Sequence, residues 1–451
     1  MPVTYRVRPG GRLAGRLRVP GDKSISHRSI MLGSIADGTT RITGFLEGED
    51  SLATLRAFRQ MGVAIDGPDA GRVTIHGVGL RGLRAPEGPL DLGNSGTSMR
   101  LLAGLLAGQG FPVTLTGDAS LSHRPMRRVT EPLARMGALI EPTETGTAPL
   151  VIRPVTALKG IEYVMPVASA QVKSSLLLAG LYAEGETCVA EPAPTRDHTE
   201  RMLEGFGHAV RRDGSRVCVR GGGRLVATDI DVPADISSAA FFLVGASIAP
   251  GSDVVLEHVG VNPTRTGVIE ILRLMGADLA LENQRTAGGE PVADLRVRAG
   301  RLRGAAIPPR LVPLAIDEFP AVFVAAACAE GETVVTGAEE LRVKESDRIE
   351  VMAHGLQALG IDARPTRDGM VIRGGRVRGG RVDSRGDHRI AMAFAMAALR
   401  ADSEVVIDDC ANVQTSFPGF ADLARRAGLG IGAEGEDAAM EAHASTRTGR
   451  N

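Results

Sequence analysis

Six segments of this 451-residue chain close a helix-like run with the same phrase, and that repetition restricts the possible folds more than any single residue does. They read Gln60-Met61-Gly62-Val63-Ala64-Ile65, Arg135-Met136-Gly137-Ala138-Leu139-Ile140, Gly205-Phe206-Gly207-His208-Ala209-Val210, Leu274-Met275-Gly276-Ala277-Asp278-Leu279, Ala358-Leu359-Gly360-Ile361-Asp362-Ala363 and Arg426-Ala427-Gly428-Leu429-Gly430-Ile431. Their glycines stand 68 to 84 residues apart. Each phrase reads as a helix stopped by a left-handed glycine and followed by a strand. The period predicts one α/β unit of about 70 residues used six times.

Each unit holds a second helix that is apolar on every side, so it must be buried inside its unit. These helices are expected to begin near Ser24, Asn94, Ser169, Asp235, Asp317 and Asp387, and they include Met99 to Leu106, Ala239 to Ile248 and Ala321 to Cys328. A short β-branched stretch follows, as in Glu186-Thr187-Cys188-Val189. The unit therefore reads strand, buried helix, strand, outer helix, strand, strand, a βαβαββ pattern.

A chain of this length exceeds what one core usually serves, which predicts two lobes of three units each. Pro20-Gly21 and Asp231-Val232-Pro233-Ala234-Asp235 break the pattern before the first and fourth buried helices. The expected division is residues 1–20 with 231–433, carrying repeats four to six and the N-terminal strand, against residues 21–230, carrying repeats one to three. Two chain crossings of this kind form a natural hinge. Residues 434–451 are polar and rich in small residues, and are expected to be a disordered tail.

Fifty-two basic against 53 acidic side chains leave a net charge of −1, so no general attraction to nucleic acid or anionic membrane exists. Aromatic residues are 3% of the chain, too few for the platforms on which single strands stack. Cys188, Cys218, Cys328 and Cys410 show no metal-type spacing and are expected to be free structural thiols, with no metal site. Met1 to Arg12 lacks an apolar signal core and no run approaches the roughly 18 residues needed to span a bilayer, which points to a soluble protein of a reducing cytoplasm.

Cations and hydroxyls gather where the helices start. Pro20-Gly21-Asp22-Lys23-Ser24-Ile25-Ser26-His27-Arg28 places lysine, hydroxyl and arginine at a helix N-terminus, where free N–H groups and the dipole already favour an anion. Gly93-Asn94-Ser95-Gly96-Thr97-Ser98-Met99-Arg100, Ser122-His123-Arg124-Pro125, Ser169-Ala170-Gln171, Thr195-Arg196-Asp197-His198, Arg342-Val343-Lys344-Glu345-Ser346-Asp347-Arg348 and Asp387-His388-Arg389 continue the theme. If the lobes face each other, these starts converge on one cleft suited to a ligand with several negative charges, such as a sugar phosphate or a phosphorylated carboxylic acid. Asp317 and Glu345 stand among the cations. Each is open to a structural reading, Asp317 as a helix cap and Glu345 as a partner of Lys344 or Arg348, beside a role in proton transfer.

Taken together and in order, Gly21 to Arg28, Gly93 to Thr97, Arg124-Pro125, Ser169-Ala170-Gln171-Val172-Lys173-Ser174, Arg342 to Arg348 and Asp387-His388-Arg389 resemble the 5-enolpyruvylshikimate-3-phosphate synthase family, from about Val19 to Gly428. Gly117-Asp118-Ala119-Ser120-Leu121 and Thr415-Ser416-Phe417-Pro418 look like its bacterial class II branch. The resemblance implies a two-lobed inside-out α/β barrel and transfer of the enolpyruvyl group of phosphoenolpyruvate to the 5-hydroxyl of shikimate 3-phosphate, by an enzyme that is a monomer and uses no metal or organic cofactor. It implies that Lys23, Ser24, Arg28, Ser169, Ala170, Gln171, Arg196, Asp317 and Lys344 bind shikimate 3-phosphate. Lys23, Asn94, Gly96, Arg124, Gln171, Glu345, Arg348 and Arg389 would bind phosphoenolpyruvate. Asp317 would act as base, Glu345 as proton donor to the methylene, and Lys23 on the departing phosphate. Thr415 stands where class I members carry a lysine, so that lysine's contact does not transfer. Gly96 leaves room for glyphosate, the inhibitor that competes with phosphoenolpyruvate in this family.

Two rival readings keep the same scaffold. The related transferase that acts on UDP-N-acetylglucosamine uses a loop cysteine, and Ala119 to Arg124 holds none. A non-catalytic anion-binding protein would need the cations but gain nothing from Asp317 and Glu345.

Overall fold

The glycine phrases end helices by one local device. In the computed structural model, which describes residues 3–435, the helices Glu49–Gln60, Arg127–Arg135, His198–Gly205, Gly267–Leu274, Arg348–Ala358 and Phe420–Ala427 are followed by glycines 62, 137, 207, 276, 360 and 428, all at positive φ. In each, the glycine N–H and the next N–H turn back to carbonyls of the last helical turn, as in Gly62 to Arg59 at 3.0 Å and Val63 to Phe58 at 3.1 Å. This is the Schellman arrangement, which satisfies carbonyls that a helix end otherwise leaves open and needs a residue without a Cβ. A strand leaves each glycine, among them Ala64–Asp69, Val210–Asp213 and Asp362–Thr366.

The apolar runs form the helices Lys23–Ser34, Gly96–Ala107, Ala170–Gly180, Ile236–Ile248, Phe319–Ala327 and His388–Ala397. Every residue of Ile236–Ile248 and Phe319–Ala327 is buried. Burying each large apolar side chain is worth roughly 1.5–3 kcal/mol, so these helices are the centres of their cores rather than surface elements. Two helices begin two residues later than expected. Ser95 rather than Asn94 caps Gly96–Ala107, and Asp317 stands ahead of Glu318, the residue that precedes Phe319–Ala327.

Among the described residues the strands form seven sheets, and the architecture is mixed α/β. Several sheets share one order: an outer parallel strand, then two antiparallel neighbours. In one, Glu162–Val164 runs parallel to Glu186–Ala190, which pairs antiparallel with Arg216–Arg220, which pairs antiparallel with Val210–Asp213. Another is Leu90–Asp91, Val113–Thr116, Leu150–Arg153, Leu139–Glu141.

Contacts divide the chain into two compact units. The first comprises residues up to Pro20, Ala234–Arg285 and the chain from Pro291; the second comprises Gly21–Pro233 and Thr286–Glu290. Each has its own apolar core. In the first unit, strand Thr4–Val7 lies between Val405–Asp408 and Ile431–Glu434, and Ala14–Leu17 pairs with Asp253–Gly260. In the second, Gly104 lets two buried helices touch backbone to backbone: a Cβ there would lie 2.0 Å from the Ser175 carbonyl oxygen. Glu434, where the tail was expected to begin, is paired with Thr4, and residues 436–451 lie outside the described residues.

The expectation of four free thiols fails. Cys188 and Cys218 face each other across the antiparallel pair Glu186–Ala190/Arg216–Arg220, with Cα atoms 4.1 Å apart, and form a disulfide. Their separation of 30 residues carries no local signal; strand register alone makes them neighbours. Cys328 and Cys410 are free. With Glu186, Cys188 and Cys218 form a group of metal-ligand type among the described residues. Their sulfurs are bonded to each other, and Arg211 Nη2 lies 2.7 Å from Glu186 and 3.4 Å from Cys218, a cation where a metal would have to sit.

Candidate functional site

Two clusters collect the expected site residues, one in each unit. In the second unit, Asp22 caps helix Lys23–Ser34 by accepting the Ile25 N–H at 2.9 Å. Lys23 is ion-paired with Asp50, in the first turn of helix Glu49–Gln60. Arg28, one turn further, is buried and donates to the Ser24 carbonyl at 2.9 Å, the Thr199 hydroxyl at 2.7 Å and the Ser174 hydroxyl at 2.8 Å. Burial pushes this guanidinium down to about 10; Arg196 pushes the same way, while Glu200, Asp22 and Glu290 oppose the shift. Ser174 belongs to the helix capped by Ser169, so Arg28 ties the start of one candidate helix to the first turns of another.

Around Gly96 a second group converges. Arg124 Nη2 donates to Asn94 Oδ1 at 2.5 Å, and Asn94 Nδ2 donates to Asp118 at 2.7 Å. Arg100 Nη1 donates to Gln171 Oε1 at 2.5 Å, and Gln171 Nε2 to the Thr97 hydroxyl at 3.1 Å. A Cβ on Gly96 would stand 3.1 Å from Arg124 Nη1 and 3.3 Å from Arg100 Nη1, so both guanidiniums flank this backbone. The positive end of a helix dipole beside two guanidiniums suits an anion. Ser169 and Ala170 are half-buried at the start of their helix, and Arg196 is half-buried just ahead of helix His198–Gly205. Lys173, in the same phrase as Gln171, is buried against Glu191 at 3.0 Å and Glu200 at 2.7 Å, a structural role.

In the first unit the cluster centres on Arg348, fully buried at the start of helix Arg348–Ala358. Its guanidinium meets Glu345 at 2.6 Å, Asp387 at 2.8 Å and Asp317 at 3.4 Å. Burial works against the charge, yet Asp387, Glu345 and Asp317 hold the group above the ordinary arginine value. Lys344 Nζ lies 3.6 Å from Asp317, and Arg389 Nη2 lies 4.0 Å from its other oxygen. Glu318, not Asp317, stands at the N-cap of helix Phe319–Ala327, and the Asp317 carboxylate stands among three cations. Glu345 does pair with Arg348.

Asp50, Arg100 and Asp387 were not assigned site roles from sequence. Asp387 reads as a helix start and Arg100 as the end of its phrase; Asp50 carries no such mark, since an acid in the first turn of a helix is common.

Half-buried cations laced with carboxylates, at helix starts of an α/β fold, define a protein built to hold small polyanions. A family model described as EPSP synthase (3-phosphoshikimate 1-carboxyvinyltransferase) matches residues 7–423. A Methylococcus capsulatus protein named 3-phosphoshikimate 1-carboxyvinyltransferase is 72% identical over 429 residues, 95% of this chain and 98% of that protein. One of the same name from Alkalilimnicola ehrlichii is 72% identical over 430 residues, 95% and 96% of the two chains. A solved structure of EPSP synthase from Acinetobacter baumannii superposes with a TM-score of 0.87 at 60% identity, covering 96% of this chain and 100% of that one. The chain belongs to the EPSP synthase family. No described helix is long and apolar enough to cross a membrane.

Proposed function

We infer that this protein transfers the enolpyruvyl group of phosphoenolpyruvate to the 5-hydroxyl of shikimate 3-phosphate and releases inorganic phosphate. The observation that carries the reading is the first unit's mixed cluster, in which Asp317 lies within 4.0 Å of Lys344, Arg348 and Arg389, and Glu345 pairs with Arg348. A binding protein needs those cations; carboxylates placed among them serve proton transfer, worth about 10²–10⁴-fold in rate.

In this reading, the shikimate side is held by Lys23, Ser24, Arg28, Ser169, Ala170, Gln171, Arg196, Asp317 and Lys344. The phosphoenolpyruvate side is held by Lys23, Asn94, Gly96, Arg124, Gln171, Glu345, Arg348 and Arg389. The substrate hydroxyl loses its proton to Asp317 as its oxygen bonds to C2 of phosphoenolpyruvate. C3 takes a proton from Glu345, giving a tetrahedral intermediate. The C2–O bond to phosphate then breaks, C3 returns a proton, and the leaving phosphate carries the electron pair off toward Lys23. Orientation of two bound substrates can supply about 7–11 kcal/mol, more than either proton transfer, so the arginines matter at least as much as the acids.

The reading also takes each glycine-ended helix, with its sheet and buried helix, as one βαβαββ repeat, three in each unit, in a two-lobed inside-out barrel. The shared strand order of the sheets supports this. We take the enzyme to act as a cytoplasmic monomer without metal or cofactor.

Phosphate release measured with both substrates tests the assignment. Asp317→Ala is expected to lower kcat at least about 100-fold; full activity in that variant overturns Asp317 as the base.

A further inference from the structure

Helix Lys23–Ser34 carries a histidine that no step of the reaction uses. His27 is completely buried, and its Nδ1 lies 2.8 Å from Thr54 Oγ1 and 3.3 Å from Ser98 Oγ. Thr54 Oγ1 lies 2.5 Å from Ser98 Oγ, which lies 2.7 Å from Ser95 Oγ. Ser95 Oγ also accepts the Ser98 N–H at 3.1 Å and so caps helix Gly96–Ala107. Thr54 reaches back to the Asp50 carbonyl at 3.4 Å. Three helices meet in this chain of polar atoms. One bears Lys23 and Arg28, one bears Asp50, the partner of Lys23, and one opens at Gly96 between Arg124 and Arg100.

The protons can be placed by asking which arrangement leaves no buried donor unmet. Ser95 O–H donates to Ser98, Ser98 O–H to Thr54, His27 Nδ1–H to Thr54, and Thr54 O–H to the Asp50 carbonyl. Of the atoms in this network, His27 Nε2 alone then lacks a partner, and as a bare acceptor. With the proton on Nε2 instead, that atom would be a buried N–H with no acceptor, the costlier defect. Burial, then the charges of Lys23 and Arg28, push His27 well below the ordinary histidine value, with Asp22 opposing, which favours the neutral ring.

We propose that His27 is a positioning residue, which through Thr54 and Ser98 sets the Ser95 cap, and with it the Asn94–Gly96 turn that receives phosphoenolpyruvate, against the helix that carries Lys23. The proposal rests on the reading of that turn as the phosphoenolpyruvate side. The chain of bonds specifies distance more than it adds stability. Each link is a short contact between side chains with few rotamers, and a cap that shifts would carry the N–H groups of Gly96 and Thr97 with it.

The test is steady-state kinetics with each substrate varied in turn, on Thr54→Val, His27→Asn and Arg124→Lys. Valine keeps the shape of threonine and removes the hub. Thr54→Val is expected to raise KM for phosphoenolpyruvate about tenfold while kcat and KM for shikimate 3-phosphate stay within about threefold. His27→Asn, whose side-chain amide places an N–H near the position of Nδ1, is expected to behave as wild type. An unchanged phosphoenolpyruvate KM in Thr54→Val, where Arg124→Lys raises it, overturns the proposal, as does an equal rise in both KM values. If Arg124→Lys also leaves that KM unchanged, the underlying reading of the turn is what fails. Should Thr54→Val not fold, His27→Gln, whose longer amide misses Thr54, is read in the same way. Nitrogen-15 spectra of the labelled histidine supply an arm free of substrate, and a proton on Nε2 would sink the arrangement.

Discussion

A single guanidinium shows how charge is managed in the first unit. Arg348 faces Asp387, Glu345 and Asp317 at once, which a planar fork of five N–H donors can do and a lysine cannot. Arg348→Met should therefore leave the fully buried Asp387 without its guanidinium and lower stability by about 3–5 kcal/mol, read as a fall in Tm or in denaturant midpoint. Gly96 makes the opposite point, since there an atom is excluded. A methyl group would press on Arg124 Nη1 and Arg100 Nη1, both far ends of flexible side chains, so Gly96→Ala should fold yet displace them. Expected are a phosphoenolpyruvate KM raised about tenfold and weaker inhibition by glyphosate, both from steady-state assays. Unchanged inhibition would remove Gly96 from the account. Lys23, Arg124 and Arg348 could be picked out from sequence because cations at helix starts leave a local trace. Asp387 as the partner of Arg348 could not, because 39 residues of chain separate them and only the packed fold brings them together.

At the level of helices and strands, the sequence spoke most clearly where the backbone needs something only glycine supplies. The six terminating glycines adopt positive φ because each Schellman turn requires it, so the pattern and the geometry are one fact. Gly104 was silent for the reverse reason. It lies inside an ordinary apolar run, and its purpose, the approach to Ser175, depends on a helix some seventy residues on. Gly104→Ala should drive these helices apart and cost about 1–3 kcal/mol, visible as a lower Tm with the strand content unchanged. The cysteine pair was hidden likewise, since Cys188 and Cys218 meet only through strand register. Thiol titration of the unfolded, unreduced protein should find Cys328 and Cys410 alone, and all four after reduction.

For the whole molecule, the two units differ in how their residues are distributed along the chain. The second is nearly continuous, Gly21–Pro233, apart from Thr286–Glu290 at the turn between strands Asp278–Ala287 and Glu290–Arg298. Within it Glu290 meets the buried His198 at 2.8 Å. No composition shift marks that excursion; a hairpin is legible from sequence, but where its turn packs is not. The first unit is discontinuous from its outset, and there the breaks at Pro20-Gly21 and Pro233-Ala234 do carry a local sign, because proline and glycine interrupt the periodic pattern.

Strand Thr4–Val7 lies between two strands that come far later in the chain, Val405–Asp408 and Ile431–Glu434. On the ribosome it therefore has neither of these partners until Val405–Asp408 has emerged, whereas the stretch from Gly21 to Pro233 can condense before then. An edge left open that long invites pairing with a neighbouring nascent chain. Those two later strands thus decide whether Thr4–Val7 ends inside its own molecule.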